Sequence, residues 1–384
     1  MLQIDHIYEF LYQEIFKDFE FIHLPNGVPK LGDISISDIS IFTHKNFPER
    51  KIFFYDQEPF IHQMADPYMS LFTDSRDPRS RILVTSEHST DLPTNVKLLY
   101  YFFHGFAALD WYRGHHALNY NKLIVKPYNY DFITFNRILT DDRSYRIYFV
   151  SLLKELGLLD HNLVSFGVTD SLFDCWQDEV TATTSKLSEK AKLHAEHHLT
   201  GINKLVIDHA EIHGSASANI PRTIDRIDYN NDTLNVNAFW HVVTETVFYY
   251  NKLHLTEKIF KPIVSRQPFM LLAAAGNLEY LRSYGFKTFD SVIDESYDKI
   301  IDNDARVEAV VNQLYWYCNL TPGERTDIIQ QLEPIIDYNF HHFYGEFRHI
   351  ITRELLNNTK DLFQSIGYDD SHINYDNIRQ VLTK

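Results

Sequence analysis

The chain has 384 residues, with 36 basic against 52 acidic side chains and a net charge of −16. That length exceeds what one core usually holds, so two domains are expected. The charge opposes a broad electrostatic grip on nucleic acid, though it leaves room for one basic cleft. Two cysteines, Cys175 and Cys318, give neither a disulfide framework nor metal-ligand spacing. No apolar run of about 18 residues predicts a spanning helix, so no integral membrane segment is expected. The opening MLQIDHIYEFLYQEIF has early acidic residues and no small-residue cleavage site. A signal peptide is not expected, and a reduced, cytoplasmic setting fits best.

In chain order, the opening segment IYEFLYQEIFKDF predicts a helix. FEFIHL, DISIFTH, KIFFYDQEP, RILVTSEHS and VKLLYYFFHGF each predict a strand whose polar residues gather at its C-terminal end. That pattern suggests an open α/β sheet with its functional groups along the carboxyl edge. Asp56 and Glu58 follow the third of these strands, Glu87 and His88 the fourth, and His104 the fifth. Pro127 marks a plausible boundary. A second α/β unit begins with the strand YNYDFITFNR, followed by the polar LTDDRSYR, a helix in IYFVSLLKELGLL and the strand LVSFG. Asn136 and Arg137 end that first strand, while Arg143 and Arg146 begin the helix. Arginines oppose the dipole at a helix N-terminus, a conflict that an anionic ligand resolves.

From about 168 to 230 the composition turns polar, suggesting an insertion with some helix. Within it His194, Glu196, His197 and His198 match no zinc-protease spacing and read as a solvated helix face. TLNVNAFWHVVTET predicts a strand that ends at Thr244 and Glu245. Residues 254–289 then read as loop, helix, buried strand, tight turn, helix and short strand. Thr256 is placed to cap the helix, with Glu257 and Lys258 in its first turn. Asp302-Asn303-Asp304 mimics a metal-binding DxD but precedes a helix, so it is discounted. Helices are expected in ARVEAVVNQLYWYC, in ERTDIIQQLEPIIDYN and over the last 40 or so residues. No Walker A, GxSxG or GxGxxG motif occurs.

The Thr256-Glu257-Lys258 triplet, its apolar helix and the strand PFMLLAAAG followed by Leu-Glu-Tyr-Leu-Arg resemble the donor-binding segment of the α1,3-fucosyltransferase family. They are similar also to that of related bacterial and phage GT-B glycosyltransferases. The family's proline-rich turn is here Ala273-Ala274-Ala275-Gly276. The resemblance implies two Rossmann-like domains with a central cleft and C-terminal helices. An acceptor-side domain would span 1–126 and a nucleotide-sugar-binding domain 127–340, with 341–384 crossing back to the first. It implies a soluble hexosyl- or pentosyltransferase moving a sugar from a nucleoside-diphosphate sugar to a hydroxyl, with inversion and without a bound metal or other cofactor. Donor contacts would come from Asn136, Arg137, Arg143, Arg146, Thr244, Glu245, Thr256, Glu257 and Lys258. The base would come from Glu58, Glu87, Asp56 or His88. The acceptor expected is a glycan or lipid-linked saccharide; a hydroxymethylated pyrimidine of phage DNA is the alternative, and a non-catalytic nucleotide-sugar or carbohydrate-binding module is a third reading.

Overall fold

The computed structural model describes residues 7–8, 10–21, 40–56, 59, 81–88, 95–113, 128–167, 176–202, 205 and 237–374. They form a mixed α/β protein of two compact units: residues Met1–Arg113 with Gly345–Lys384, and residues Gly114–Tyr344. No helix among the described residues is long and apolar enough to cross a membrane.

The first unit is built on a five-stranded sheet in the order β1 (Phe19–Phe21), β2 (Ser40–His44), β3 (Phe47–Tyr55), β4 (Arg81–Thr85) and β5 (Lys97–Tyr100). All five segments expected as strands contain one. Their directions differ from an all-parallel, Rossmann-like sheet. β1, β2 and β3 pair antiparallel, and only β3, β4 and β5 run parallel. The cause is local: Lys45 and Asn46 form the turn between β2 and β3, too short for anything but a hairpin. Every residue of β4 and the last four of β3 are buried, as strands covered on both faces must be. The run FFHGF is not strand but the start of helix α1 (Phe103–Trp111), all but the last of whose residues are buried. A continuous aromatic run carries no period, so strand and helix were indistinguishable there. Gly105 has a packing role, because a Cβ would meet the rings of Phe102 and Phe347 at 3.0 Å.

The second unit carries an all-parallel sheet in the order β7 (Leu163–Val164), β6 (Tyr130–Thr134), β8 (Ala238–Thr244) and β9 (Phe269–Leu272). Helix α2 (Tyr145–Glu155) connects β6 to β7. Helices α3 (Trp176–Thr181) and α4 (Glu189–Leu199) lie in the segment expected to be an insertion; its residues 168–175, 203–204 and 206–236 are outside those described. Helix α5 (Phe260–Val264), with the 3-10 turn Glu257–Ile259 before it, connects β8 to β9, and α6 (Asn277–Ser283) follows β9. All of β8 and β9 is buried, which explains their near-continuous apolar sequence. The short strand expected near 286–289 is absent: these residues are irregular, with Phe286 and Phe289 buried as packing side chains. α7 (Asn303–Cys318) begins at Asp302, whose carboxylate accepts from Ala305 N at 2.8 Å. The DxD look-alike is therefore a helix cap. α8 (Pro322–His342) opens with a capping box between Thr321 and Glu324.

The last helix, α9 (Arg348–Ile366), belongs to the first unit. Its Leu355, Leu362, Phe363 and Ile366 are buried, Phe363 against Phe16 at 5.9 Å between ring centres. Asn358 Nδ2 donates to Tyr100 O at the end of β5.

Candidate functional site

The chain leaves β6 through α2 to reach β7 on one side, then returns to the other side of β6 for β8 and moves outward to β9. Crossovers of parallel strands are right-handed, so the two outward paths send their helices to opposite faces. A crevice opens where such a reversal occurs, here between the carboxyl ends of β6 and β8, and open α/β sheets bind ligands there.

The residues at that point are tied together closely. Thr244 Oγ1 donates to Phe135 O at 3.0 Å, linking the two strand ends. Glu245 is fully buried and accepts from Thr256 N at 3.1 Å and Thr256 Oγ1 at 2.6 Å. Lys258 Nζ lies 3.7 Å from the same carboxylate and 3.9 Å from Glu257. Thr256 caps the 3-10 turn through Lys258 N and also accepts from Lys258 Nζ at 3.0 Å. Lys258 Nζ donates to Thr246 Oγ1 at 3.2 Å, and Arg143 Nη2 donates to that hydroxyl at 3.3 Å. One threonine hydroxyl therefore gathers two cations from opposite sides of the switch point. The Lys258 side chain keeps 36% of its surface exposed, within reach of a ligand.

Asn136 is also buried here. Its N donates to Ser165 Oγ at 2.7 Å and its Nδ2 to Thr134 Oγ1 at 3.3 Å. Its Oδ1 has no hydrogen-bond partner among the described residues. Arg137, next along, is half-buried.

Arg146 has a different part from the one expected of it. Its Nη1 donates to Ile138 O at 2.9 Å and its Nη2 to Thr244 O at 2.7 Å. Only 4% of the residue is exposed. This guanidinium fastens the β6 and β8 ends to the start of α2, with two of its five N–H donors spent on carbonyls. Tyr145 assists, its hydroxyl donating to Glu245 O at 2.6 Å.

Sequence reasoning missed Thr246, Lys186, Tyr249 and Tyr250. Lys186 pairs with Asp142 and with the Tyr250 hydroxyl, and sits 4.4 Å over the Tyr250 ring. Burial opposes its charge, but the bonds to Asp142 and Tyr250 together outweigh this and raise its pKa. Ser144 Oγ and Tyr249 Oη lie 2.8 Å apart. Lys186 sits 44 or more residues from these partners in a polar stretch, and no sequence spacing signals the pairing.

In the first unit the parallel register pairs Tyr55 with Thr85 and Thr85 with Tyr100. It sets Asp56, Ser86 and Tyr101 side by side just past the strand ends. Asp56 is buried and accepts from the Tyr101 hydroxyl and, at 3.5 Å, from Tyr8. Burial pushes its pKa up to about 6, and the phenol bonds and nearby His104 offset this only in part. Glu87 and His104 are buried, while His88 is exposed at its rim and lies flat on Tyr100, with ring centres 3.7 Å apart. Loss of solvent on that face lowers the His88 pKa. Glu58 lies outside the described residues.

Comparison of the chain with family models, curated proteins and solved structures finds no match.

Proposed function

We propose that the protein is a glycosyltransferase of GT-B type whose second unit binds a nucleoside-diphosphate sugar at the carboxyl ends of β6 and β8. The observation that carries this reading is the meeting of Arg143 and Lys258 on the Thr246 hydroxyl at the topological switch point. Each cation lies one hydrogen bond from the same hydroxyl, so a diphosphate seated there can reach both. Glu245 holds Lys258 in place beside that hydroxyl. The buried Asn136 Oδ1 offers an acceptor for a ligand N–H or hydroxyl.

In this reaction the acceptor hydroxyl loses its proton to a base and attacks the anomeric carbon, while the sugar–phosphate bond breaks and the diphosphate leaves. Cations fixed before the reaction stabilise that departing charge. Among Asp56, Glu87 and His88, Asp56 best suits a base acting near neutral pH, with its pKa at about 6. A saccharide is the acceptor class preferred here, since the net charge of −16 disfavours a long DNA footprint.

Calorimetry of the full chain against UDP, GDP, ADP, CDP and dTDP tests the donor site. One nucleotide should bind, and Lys258→Ala and Arg143→Ala should each weaken it by about 1.5–3 kcal/mol, the worth of a charged hydrogen bond. Binding of no nucleotide, or unchanged affinity in both variants, removes the site. Binding without transfer to any acceptor and without donor hydrolysis would leave a nucleotide-sugar-binding module.

A further inference from the structure

Helices α2 and α4 pack side by side because Ala191, Ala195 and Leu199 form a buried ridge of mostly small residues along α4. The close approach brings three side chains together that the reading above does not use. His194 and His198 stand one turn apart on α4, their rings 4.3 Å apart and roughly parallel. Glu155, the last residue of α2, reaches both. His194 Nε2 is 3.1 Å from Glu155 Oε2, and His198 Nε2 is 4.0 Å from Oε1. One ligand atom from each of the three residues lies within 4.8 Å of the others.

Ser151 Oγ touches both Tyr148 O and His194 Nδ1, and the direction of its proton sets the tautomer of His194. The Ser151 hydroxyl donates its single proton to Tyr148 O at 2.8 Å. Toward His194 Nδ1, also 2.8 Å away, it can then only accept. In that arrangement Nδ1 carries the hydrogen, and the neutral ring turns a bare Nε2 lone pair toward a carboxylate oxygen. Two lone pairs at 3.1 Å are bridged either by a proton or by a metal cation. A second proton on His194 would serve one pair, yet His198 and the other carboxylate oxygen converge on the same point. A ring N–H held by a second partner while the other nitrogen faces outward is also how ligating histidines are oriented.

We propose that Glu155, His194 and His198 form a binding site for a divalent transition metal of the zinc class, clamping α2 to α4. Imidazole and carboxylate without thiolate suit zinc, cobalt or nickel rather than calcium or magnesium. Zinc–ligand bonds of about 2.0–2.2 Å put tetrahedral neighbours roughly 3.4 Å apart. The 3.1 Å pair already fits, and the 4.0 Å pair needs a small rotation of side chains that are 24% and 46% exposed. Water can complete the tetrahedron on that exposed side. Both helices bring their carbonyl ends here, where the dipole favours a cation. The helix rises about 1.5 Å per residue, so Glu155 lies roughly 15 Å along α2 from its start at Tyr145, beyond which Arg143 lies, and the site should act independently of nucleotide binding.

The test titrates zinc into the untagged, chelator-treated full chain by calorimetry. Cobalt absorption in the visible range reads the geometry. One equivalent should bind, with a rise in thermal midpoint and the intense bands of tetrahedral cobalt. His198→Ala and Glu155→Gln should each abolish that equivalent; circular dichroism checks that both stay folded, as expected at half-exposed positions. Ser151→Ala should keep the stoichiometry but weaken binding about 10- to 100-fold, as loss of a partner behind a ligand does. No zinc binding by the native chain, or equal binding by the His198 and Glu155 variants, overturns the proposal and leaves a histidine–glutamate ion pair.

Discussion

Glu245 and Asp56 are both buried carboxylates at the carboxyl end of a parallel strand, yet their surroundings differ. Glu245 receives a backbone N–H, a hydroxyl and an ammonium. Asp56 receives two phenol hydroxyls, and no ion pair to a lysine or arginine is found for it among the described residues. Burying charge costs several kcal/mol unless a partner compensates, and of the two only Glu245 has a lysine beside it among the described residues. One carboxylate is a tie that holds a cation in place; the other is a proton site poised near neutrality.

The largest effect should follow removal of the tie. Glu245→Ala leaves Thr256 N, Thr256 Oγ1 and Lys258 without their acceptor and should destabilise the second unit by about 3–5 kcal/mol. Urea unfolding followed by circular dichroism measures it. A loss under about 1 kcal/mol would mean that water replaces the carboxylate at little cost, and the contrast with Asp56 would fail.

Asp56→Asn should act with the opposite sign. The folded pKa of about 6 lies above the ordinary aspartate value of 3.8, so the folded chain binds more protons between these limits. The contribution of Asp56 to stability is whole below pH 3.8 and is lost as pH rises through about 6. The penalty above pH 6 amounts to about 3 kcal/mol. The asparagine variant should flatten stability between those pH values and equal or exceed the native chain at pH 8. If Asp56 is the catalytic base, the variant also loses about 10²- to 10⁴-fold in turnover, and the native rate falls in acid with a midpoint near 6. A stability curve with no slope in this range would place Asp56 in a wetter setting than its burial indicates.

The contrast also marks what the sequence could disclose. Apolar runs located each strand among the described residues, because burial on both faces leaves a mark in composition: RILVT and FMLL are buried throughout. Strand direction left none. The hairpin at Lys45-Asn46 lacks glycine and continues into Phe-Pro-Glu-Arg, a poor strand former that is exposed over its first residues. At the carboxyl edge, Glu245, Thr256 and Lys258 were legible since only 13 residues separate the first from the last. The structural part of Arg146 was not legible, because a guanidinium bonded to two backbone carbonyls looks in sequence like one offered to a phosphate. Glu155, 39 residues before His194, completes a cluster that His-Ala-Glu-His-His alone does not announce.

Lys258→Ala is a milder break of the same tie. The lysine is 36% exposed, so its removal should change stability by less than loss of Glu245. Its effect should fall on the ligand, with nucleoside-diphosphate affinity down by about 1.5–3 kcal/mol. Lys258→Arg sharpens the point. A planar fork cannot reproduce a single ammonium donating to Thr246 and Thr256 together, so arginine should restore charge without restoring affinity. Full rescue would show that charge alone matters.

The smallest effect expected is that of EDTA on nucleotide binding. Arg143 and Lys258 already bring two positive charges to the switch point, so the diphosphate should bind there without a bridging divalent ion. The chelator should nonetheless lower the thermal midpoint of zinc-loaded protein, because the cluster of Glu155, His194 and His198 lies at the far end of α2. The two readouts should therefore separate: thermal midpoint falls, nucleotide affinity holds. If affinity collapses with EDTA and returns with manganese, the phosphate charge is being met by a metal. The pairing of Arg143 and Lys258 on Thr246 would then be a structural contact, like the bonds of Arg146 to Ile138 O and Thr244 O.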